Sequence, residues 1–383
     1  MRTEPVAGAG NDVSAPFAEG RVAVVHDWLT GMRGGEKVLE SILNLYPRAD
    51  IFTLVHVPGK ISERVNRHTI RTSFIGRLPW ASRRHQIYLP LFPCAVGAFD
   101  LSGYDLVLST SHCVAKGAVV RPGTPHVCYC HTPMRYAWDF KELYFGGIRP
   151  APLKWLVDFF LEGLRLWDVV SSSRVDRFIA NSNTVARRIA RYYGRPSTVI
   201  PPPVDTGLFT PVESPSKSHF VVLSAFVPYK RLDLAIEAAN RLRAPLKVVG
   251  DGVESRRLAR LAGPTVEFLG ALPPKDLRDI LAHCRALIFP GEEDFGITPV
   301  ETNACGRPVV AYRAGGATES MVDGETAVFF DRQEVEPLVD AMRQVERMSF
   351  DPARLRANAA RFSVPRFETE MARFLTAAVA ELS

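Results

Sequence analysis

A chain of 383 residues is longer than one ordinary hydrophobic core supports, so two domains are expected. Apolar residues at 46% and charged residues at 23% exclude a disordered or fibrous chain. The net charge of +6 favours anionic partners without choosing among nucleotides, phospholipids and nucleic acid.

Residues 1–20 are rich in Ala, Gly and Pro and lack an apolar segment, so they read as a disordered tail and not a signal peptide. Short apolar runs then alternate with helical patterns. RVAVVH (21–26), DIFTLV (50–55), DLVLST (105–110), HVCYC (126–130), RFIAN (177–181) and TVIPP (198–202) read as strands. EKVLESILNLY (36–46) and NTVARRIARYY (183–193) read as helices between them. Such β-then-α order predicts a parallel, doubly wound sheet.

PPPVDTGLFTPVESPSKS (201–218), dense in Pro and Ser, reads as a linker, after which the pattern restarts. HFVVLS (219–224), LKVVG (246–250), VEFLG (266–270), ALIFP (286–290) and PVVAY (308–312) are strands; RLDLAIEAANRL (231–242), PKDLRDILAHC (274–284) and ESMV (319–322) supply helices. Beyond Asp331 only helices follow, and RFETEMARFLTAAVAEL (366–382) needs a surface to dock on, expected on the first domain. The organisation is thus an α/β pair of facing Rossmann-like domains, 21–203 and 204–360, with a terminal helix at 361–383.

No apolar run approaches the length of a membrane span, and six scattered cysteines point to a reducing, cytoplasmic setting. Cys128, Cys130 and His131 cluster, but HVCYC reads as a buried strand without an obvious fourth ligand, so no metal is expected.

In open parallel sheets, ligands sit beyond the carboxyl ends of the strands. After the first strand comes HDWLTGMRGGEKVLE, whose Gly34 and Gly35 precede a helix. That is either an anion loop at a helix N-terminus or an ordinary cap. His131 ends its strand where a cleft would lie. Lys230 and Arg231 open a helix, an unfavourable place for cations unless an anion is near. Gly250 and Gly252 form only a weak G-x-G-x-x-S pattern. Glu293 falls in the loop after ALIFP, whereas Thr298-Pro299-Val300-Glu301 fits a capping box, with Gly306 closing a short helix.

The stretch PGEEDFGITPVETNACGRPVVAYRAGG (290–316), with its Glu293-x7-Glu301 spacing, resembles the glutamate motif of retaining glycosyltransferases of family 4. GGEKVLE, YDLVLSTSHCVAKG, HTPMRYAWD, IANSNTVARRI, PPPVDTGLF and VPYKRLDLAIEA resemble stretches of that family in the same order, from about residue 21 to about 331. The likeness is greatest to mannosyltransferase-like members that build bacterial surface polysaccharides. It implies the GT-B fold and transfer of a sugar, GDP-mannose being the expected donor, with no cofactor. By the same resemblance, Glu293 would hold donor-sugar hydroxyls, aided by the N–H groups of Phe295, Gly296 and Ile297. Glu301 would hold the ribose, Lys230 the diphosphate with Gly34 and Gly35 closing over it, and His131 would lie against the transferred sugar. Many relatives carry an arginine five residues before the lysine; here Ala225 stands there, leaving Arg231 as a possible substitute.

The chain has no Asp-x-Asp pair, so metal-independent transfer is expected. IRTSFIGRLPWASRRHQIYLPLF (70–92) mixes four arginines with aromatic residues. It suits either an anionic membrane surface, fitting a polyprenyl-diphosphate-linked acceptor, or a plain solvated basic face. A UDP-sugar transferase of the same fold is the nearest alternative. A nicotinamide dehydrogenase would need a sounder glycine fingerprint, and a nucleic-acid-binding protein a basic module that is not recognised here.

Overall fold

The computed structural model describes residues 15–17, 19–139 and 150–382; most of the expected tail, 1–14 and 18, lies outside them. The first sheet contains β1 (Val22–His26), β2 (Asp50–Thr53), β3 (Ile70–Thr72), β4 (Leu106–Ser111), β5 (His126–Cys130), β6 (Arg177–Ala180) and β7 (Ser197–Val199). Its order is β3-β2-β1-β4-β5-β6-β7, and every pairing is parallel. The second contains β8 (His219–Leu223), β9 (Leu246–Val249), β10 (Val266–Gly270), β11 (Cys284–Phe289), β12 (Val309–Tyr312) and β13 (Ala327–Phe330). It runs β10-β9-β8-β11-β12-β13, again parallel throughout. The inner strands β1, β8, β11 and β12, buried on both faces, are near-continuous apolar runs, as parallel sheets require.

The strand order reverses between β1 and β4 in the first sheet and between β8 and β11 in the second. Those reversals open a crevice at the carboxyl edge of each sheet. The loops after β1, β4, β8 and β11 therefore define the two rims that meet in the cleft.

Helices cover both sheets. Those used below are α1 (Gly34–Leu45), α2 (Ala151–Ser171), α3 (Asn183–Tyr193), α4 (Leu232–Leu242), α5 (Ile297–Ala304) and α6 (Val364–Leu382). Along α6, Phe367, Met371, Leu375 and Val379 recur every four residues, one stripe of a helix. That stripe is buried with Leu39, Ile42 and Leu43 of α1 in the core of the first domain, and Phe367 meets the Tyr129 ring at 5.8 Å. The terminal helix thus returns to the first domain, where its apolar stripe is buried.

Candidate active site in the interdomain cleft

Each rim is stitched at its reversal point. On the first, Asp27 follows β1 and is buried. Its Oδ2 accepts the N–H groups of His112 and Cys113 at 2.7 and 2.9 Å, and its Oδ1 those of Val114 and Ala115 at 2.7 and 2.8 Å. His112 adds Nδ1 at 3.1 Å. One carboxylate thereby ties the loop after β1 to the loop after β4. Burying it is tolerable because its lone pairs are filled by hydrogen-bond donors.

On the second rim the stitch is a close backbone approach. A Cβ on Gly291 would lie 2.9 Å from Lys230 Cα, so only glycine lets the loop after β11 touch the loop after β8. Beneath it, Gly316 donates its N–H to Glu293 O at 2.8 Å, and a Cβ there would lie 2.2 Å from Phe295 Cα. The result is that Lys230 Nζ sits 2.5 Å from Glu293 Oε1, across the reversal point.

The rims face each other over one cavity. From the first domain His26, Arg33, Gly34, Gly35, His112, His131 and Arg135 line it; from the second come Tyr229, Lys230, Glu293, Asp294, Phe295, Gly296 and Ile297. The domains approach closely: a Cβ on Gly34 would lie 2.8 Å from Ile297 Cδ1, and one on Gly35 3.5 Å from His131 Nε2. Gly296, with φ +87, turns the chain into α5, whose first-turn N–H groups have no intrahelical acceptor.

His131 is held by its own backbone, N–H to Ser111 O at 2.8 Å and C=O from Asn181 Nδ2 at 2.9 Å. Burial, reinforced by the nearby His112 and His26, pushes its imidazole down to about 3, and its Nε2 has no hydrogen-bond partner among the described residues. It is a neutral ring at the cleft wall. Cys128 and Cys130 instead pack around Phe178 in the core, and burial pushes both thiols up.

Three expectations are corrected by the geometry. The capping box fails: α5 begins at Ile297 with Gly296 as N-cap, so Glu301 lies in its second turn and cannot reach the cap N–H. Glu301 is buried and ion-paired with Lys37 of α1, across the cleft. Arg231, at φ +53, turns its guanidinium to Asp233 (Nε to Oδ1 3.2 Å) and is not among the cavity-lining residues. Gly250 is also absent from the lining. Its φ of +124, and a Cβ that would lie 2.0 Å from Ser224 O, show that it lets β9 pack against the loop after β8.

Two further sets of contacts cross the cleft and carry no local sequence signal. Asp294 is ion-paired with both Arg135 and Arg188 of the first domain. Glu319 caps α3: its Oε2 accepts Asn183 N and Nδ2 at 2.6 and 2.9 Å, and its Oε1 Thr184 N and Oγ1, both at 2.8 Å. A carboxylate at a helix N-terminus gains from the helix dipole as well.

Comparisons with known proteins agree with this architecture. A glycosyltransferase family 4 model matches residues 32–208 and a glycosyl transferases group 1 model matches residues 210–362. A D-inositol 3-phosphate glycosyltransferase of Geodermatophilus obscurus is 31% identical over 245 residues, 55% of this chain and 54% of that protein. A GDP-mannose-dependent alpha-(1-6)-phosphatidylinositol monomannoside mannosyltransferase of Mycolicibacterium smegmatis is 29% identical over 216 residues, 46% of this chain and 56% of that one. The chain thus spans about half the length of the curated relatives it matches. Among solved structures, sucrose-phosphate synthase from Thermosynechococcus elongatus superposes with a TM-score of 0.73 at 18% identity, covering 94% of this chain and all of that one. The chain therefore carries a glycosyltransferase family 4 domain followed by a glycosyl transferases group 1 domain, joined as a GT-B fold.

Proposed function

We propose that the protein transfers a hexose from a nucleoside diphosphate to an acceptor hydroxyl, with retention at the anomeric carbon, no metal, and GDP-mannose as donor. The observation that carries this reading is the Lys230–Glu293 pair, set across the strand reversal and facing Gly34, Gly35 and His131. A diphosphate arriving at Lys230 frees Glu293 to accept sugar hydroxyls. The first-turn N–H groups of α5 and the Gly34-Gly35 turn add donors where the leaving group gains charge. A neutral His131 can lie beside an anomeric carbon that is becoming positive without repelling it. Neither glutamate acts as nucleophile; the leaving phosphate oxygen takes the acceptor proton on the same face. GDP-mannose is favoured because the mycobacterial relative is named for it.

The acceptor reading is a polyprenyl-diphosphate-linked saccharide of surface polysaccharide synthesis, met at the cytoplasmic face of an anionic membrane. From Arg64 to Phe99 the chain has six arginines and no acidic residue. Ile75, Ala81 and Phe92 of that stretch are buried, whereas Phe74, Trp80, Ile87 and Leu91 are exposed, Trp80 at 70%. In the same core layer, α2 buries Leu161 and Leu164 and exposes Trp155 and Phe159, which stack at 5.9 Å. Basic and aromatic groups on one layer favour a lipid interface. No helix among the described residues is long and apolar enough to cross a membrane.

The test is incubation with radiolabelled GDP-mannose and UDP-sugars plus a bacterial lipid extract, with and without a chelator, and assignment of the product anomer by NMR. Chelator-resistant transfer of mannose in the α configuration is expected. Transfer from UDP-sugars alone moves the donor assignment, and no transfer from any donor sinks the reading. Arg83→Ser/Arg84→Ser should reduce sedimentation with phosphatidylglycerol vesicles; equal sedimentation removes the membrane from the account.

A further inference from the structure

Three cations line the cleft: Arg33, Arg135 and Lys230. Lys230 is bound to Glu293 and Arg135 to Asp294. Just outside the lining, Lys37 is paired with Glu301, Arg188 with Asp294 and Arg231 with Asp233. Arg33 is different. It is exposed, and it makes no ion pair among the described residues. It is also the N-cap of α1, where a cation opposes the helix dipole, and the acidic residue of that first turn, Glu36, makes no ion pair with its guanidinium. Its backbone N–H is held by Glu36 Oε2 at 2.9 Å, so the chain at Arg33 is fixed while the side chain is left over.

Its placement is constrained from both sides. The adjacent Gly34 abuts Ile297, in the first turn of α5, and Gly35 abuts His131. Tyr229, the neighbour of Lys230, lies within the electrostatic field of Arg33. The loop after β8 brings only one cation to the cavity, because Ala225 is uncharged and Arg231 is turned to Asp233. A nucleoside diphosphate ester carries about two negative charges, and a paired Lys230 must release Glu293 before it can meet them fully. Arg33 needs to release nothing.

We infer that Arg33, from the first domain, supplies the second positive charge for the donor diphosphate. It takes the place that an arginine at position 225 would fill from the second domain. The inference rests on the nucleoside diphosphate-sugar reading above, and it assigns the charge balance to a residue on the opposite rim. It follows that diphosphate binding draws the two rims together, since its two cations belong to different domains.

The experiment is calorimetric titration of GDP, UDP and GMP into wild type, Arg33→Gln and Arg33→Lys, each checked for an unchanged melting temperature. Loss of a charge-assisted contact should weaken GDP binding by Arg33→Gln about tenfold, with a smaller loss for GMP. Arg33→Lys should retain most of the affinity, because charge and not fork geometry is required. Equal GDP affinity in wild type and Arg33→Gln overturns the inference while leaving the transferase reading intact. An equal loss for GDP and GMP also overturns it. A wild type that binds neither GDP nor UDP overturns both.

Discussion

On the second rim the cations near the cleft are paired within their own domain, Lys230 with Glu293 and Arg231 with Asp233. On the first rim they are not: Lys37, Arg135 and Arg188 all reach across to carboxylates of the other domain. The second rim is thus a site assembled before any ligand or closure, its loops clamped by Gly291 and Gly316. The first rim contributes Asp27-anchored loops, the neutral His131 and, apart from Arg33, cations already engaged in holding the domains together. The difference separates chemistry from closure. Removing the Lys230 or Glu293 charge should damage transfer directly, whereas removing a contact that only joins the domains should chiefly change how they sit.

The largest effect belongs to Lys230. Lys230→Ala should lower turnover at least about a hundredfold, the scale of losing a charge-assisted bond to a leaving group. It leaves Glu293 without its partner as well. Steady-state assays at saturating donor check this, and turnover within threefold of wild type would break the division between rims.

A smaller, conformational effect is expected from Glu319→Ala. It deletes four hydrogen bonds to the start of α3. Each is worth about 1 kcal/mol net, so the closed arrangement loses a few kcal/mol at most. Small-angle scattering of the free variant should show a larger radius of gyration than wild type, and saturating GDP should remove the difference. An unchanged radius would mean that Glu319 caps its helix without holding the domains.

Much of this architecture was legible in the sequence, for identifiable reasons. Long apolar runs in β-then-α order gave away most strands, because parallel strands are buried on both faces. β3 was missed since its three residues, IRT, are largely exposed inside a basic stretch. β13 was missed because only four residues, AVFF, stand between turn and helix signals. Lys230, Glu293 and the Gly34-Gly35 turn could be located because each follows a strand end. Glu301 was misread as a cap because Thr-Pro-Val-Glu satisfies the local rule, while the glycine two residues earlier sets the true start. Asp294 and Glu319 could not have been found: their partners lie more than a hundred residues away, and nothing local marks them.

The mildest effect sharpens the comparison through pH. His126 is buried between Ser109 Oγ and Arg174 O, each at 2.9 Å, and burial holds it at about 4. His131 lies at about 3 and His85 at about 4, both lowered first by burial; all three belong to the first domain. The second has His219, also about 4 through burial. An unfolded histidine takes its proton near pH 6.5, so these folded groups, with depressed values, lend stability that is complete above that pH. It is lost as pH falls from about 6.5 towards 4, where the unfolded chain binds more protons. The first domain should therefore lose stability earlier than the second on acidification. Hydrogen exchange followed by mass spectrometry at pH 7 and 5 resolves the two, and equal loss in both domains would speak against the assignment.

The most direct test of the account is the binding of GDP alone to wild type, Glu301→Gln and Glu293→Gln. Glu301 does not cap α5, so its change should disturb only the Lys37 pair and the ribose contact that the family resemblance implies. Glu301→Gln should bind GDP about tenfold to a hundredfold more weakly, the loss of charge-assisted bonds worth about 1–3 kcal/mol. Glu293→Gln should bind GDP as tightly as wild type or more so, because Lys230 no longer has a competing carboxylate. A wild type that does not bind GDP, or three proteins that bind it equally, would contradict the claim that the cleft is a nucleoside diphosphate-sugar site.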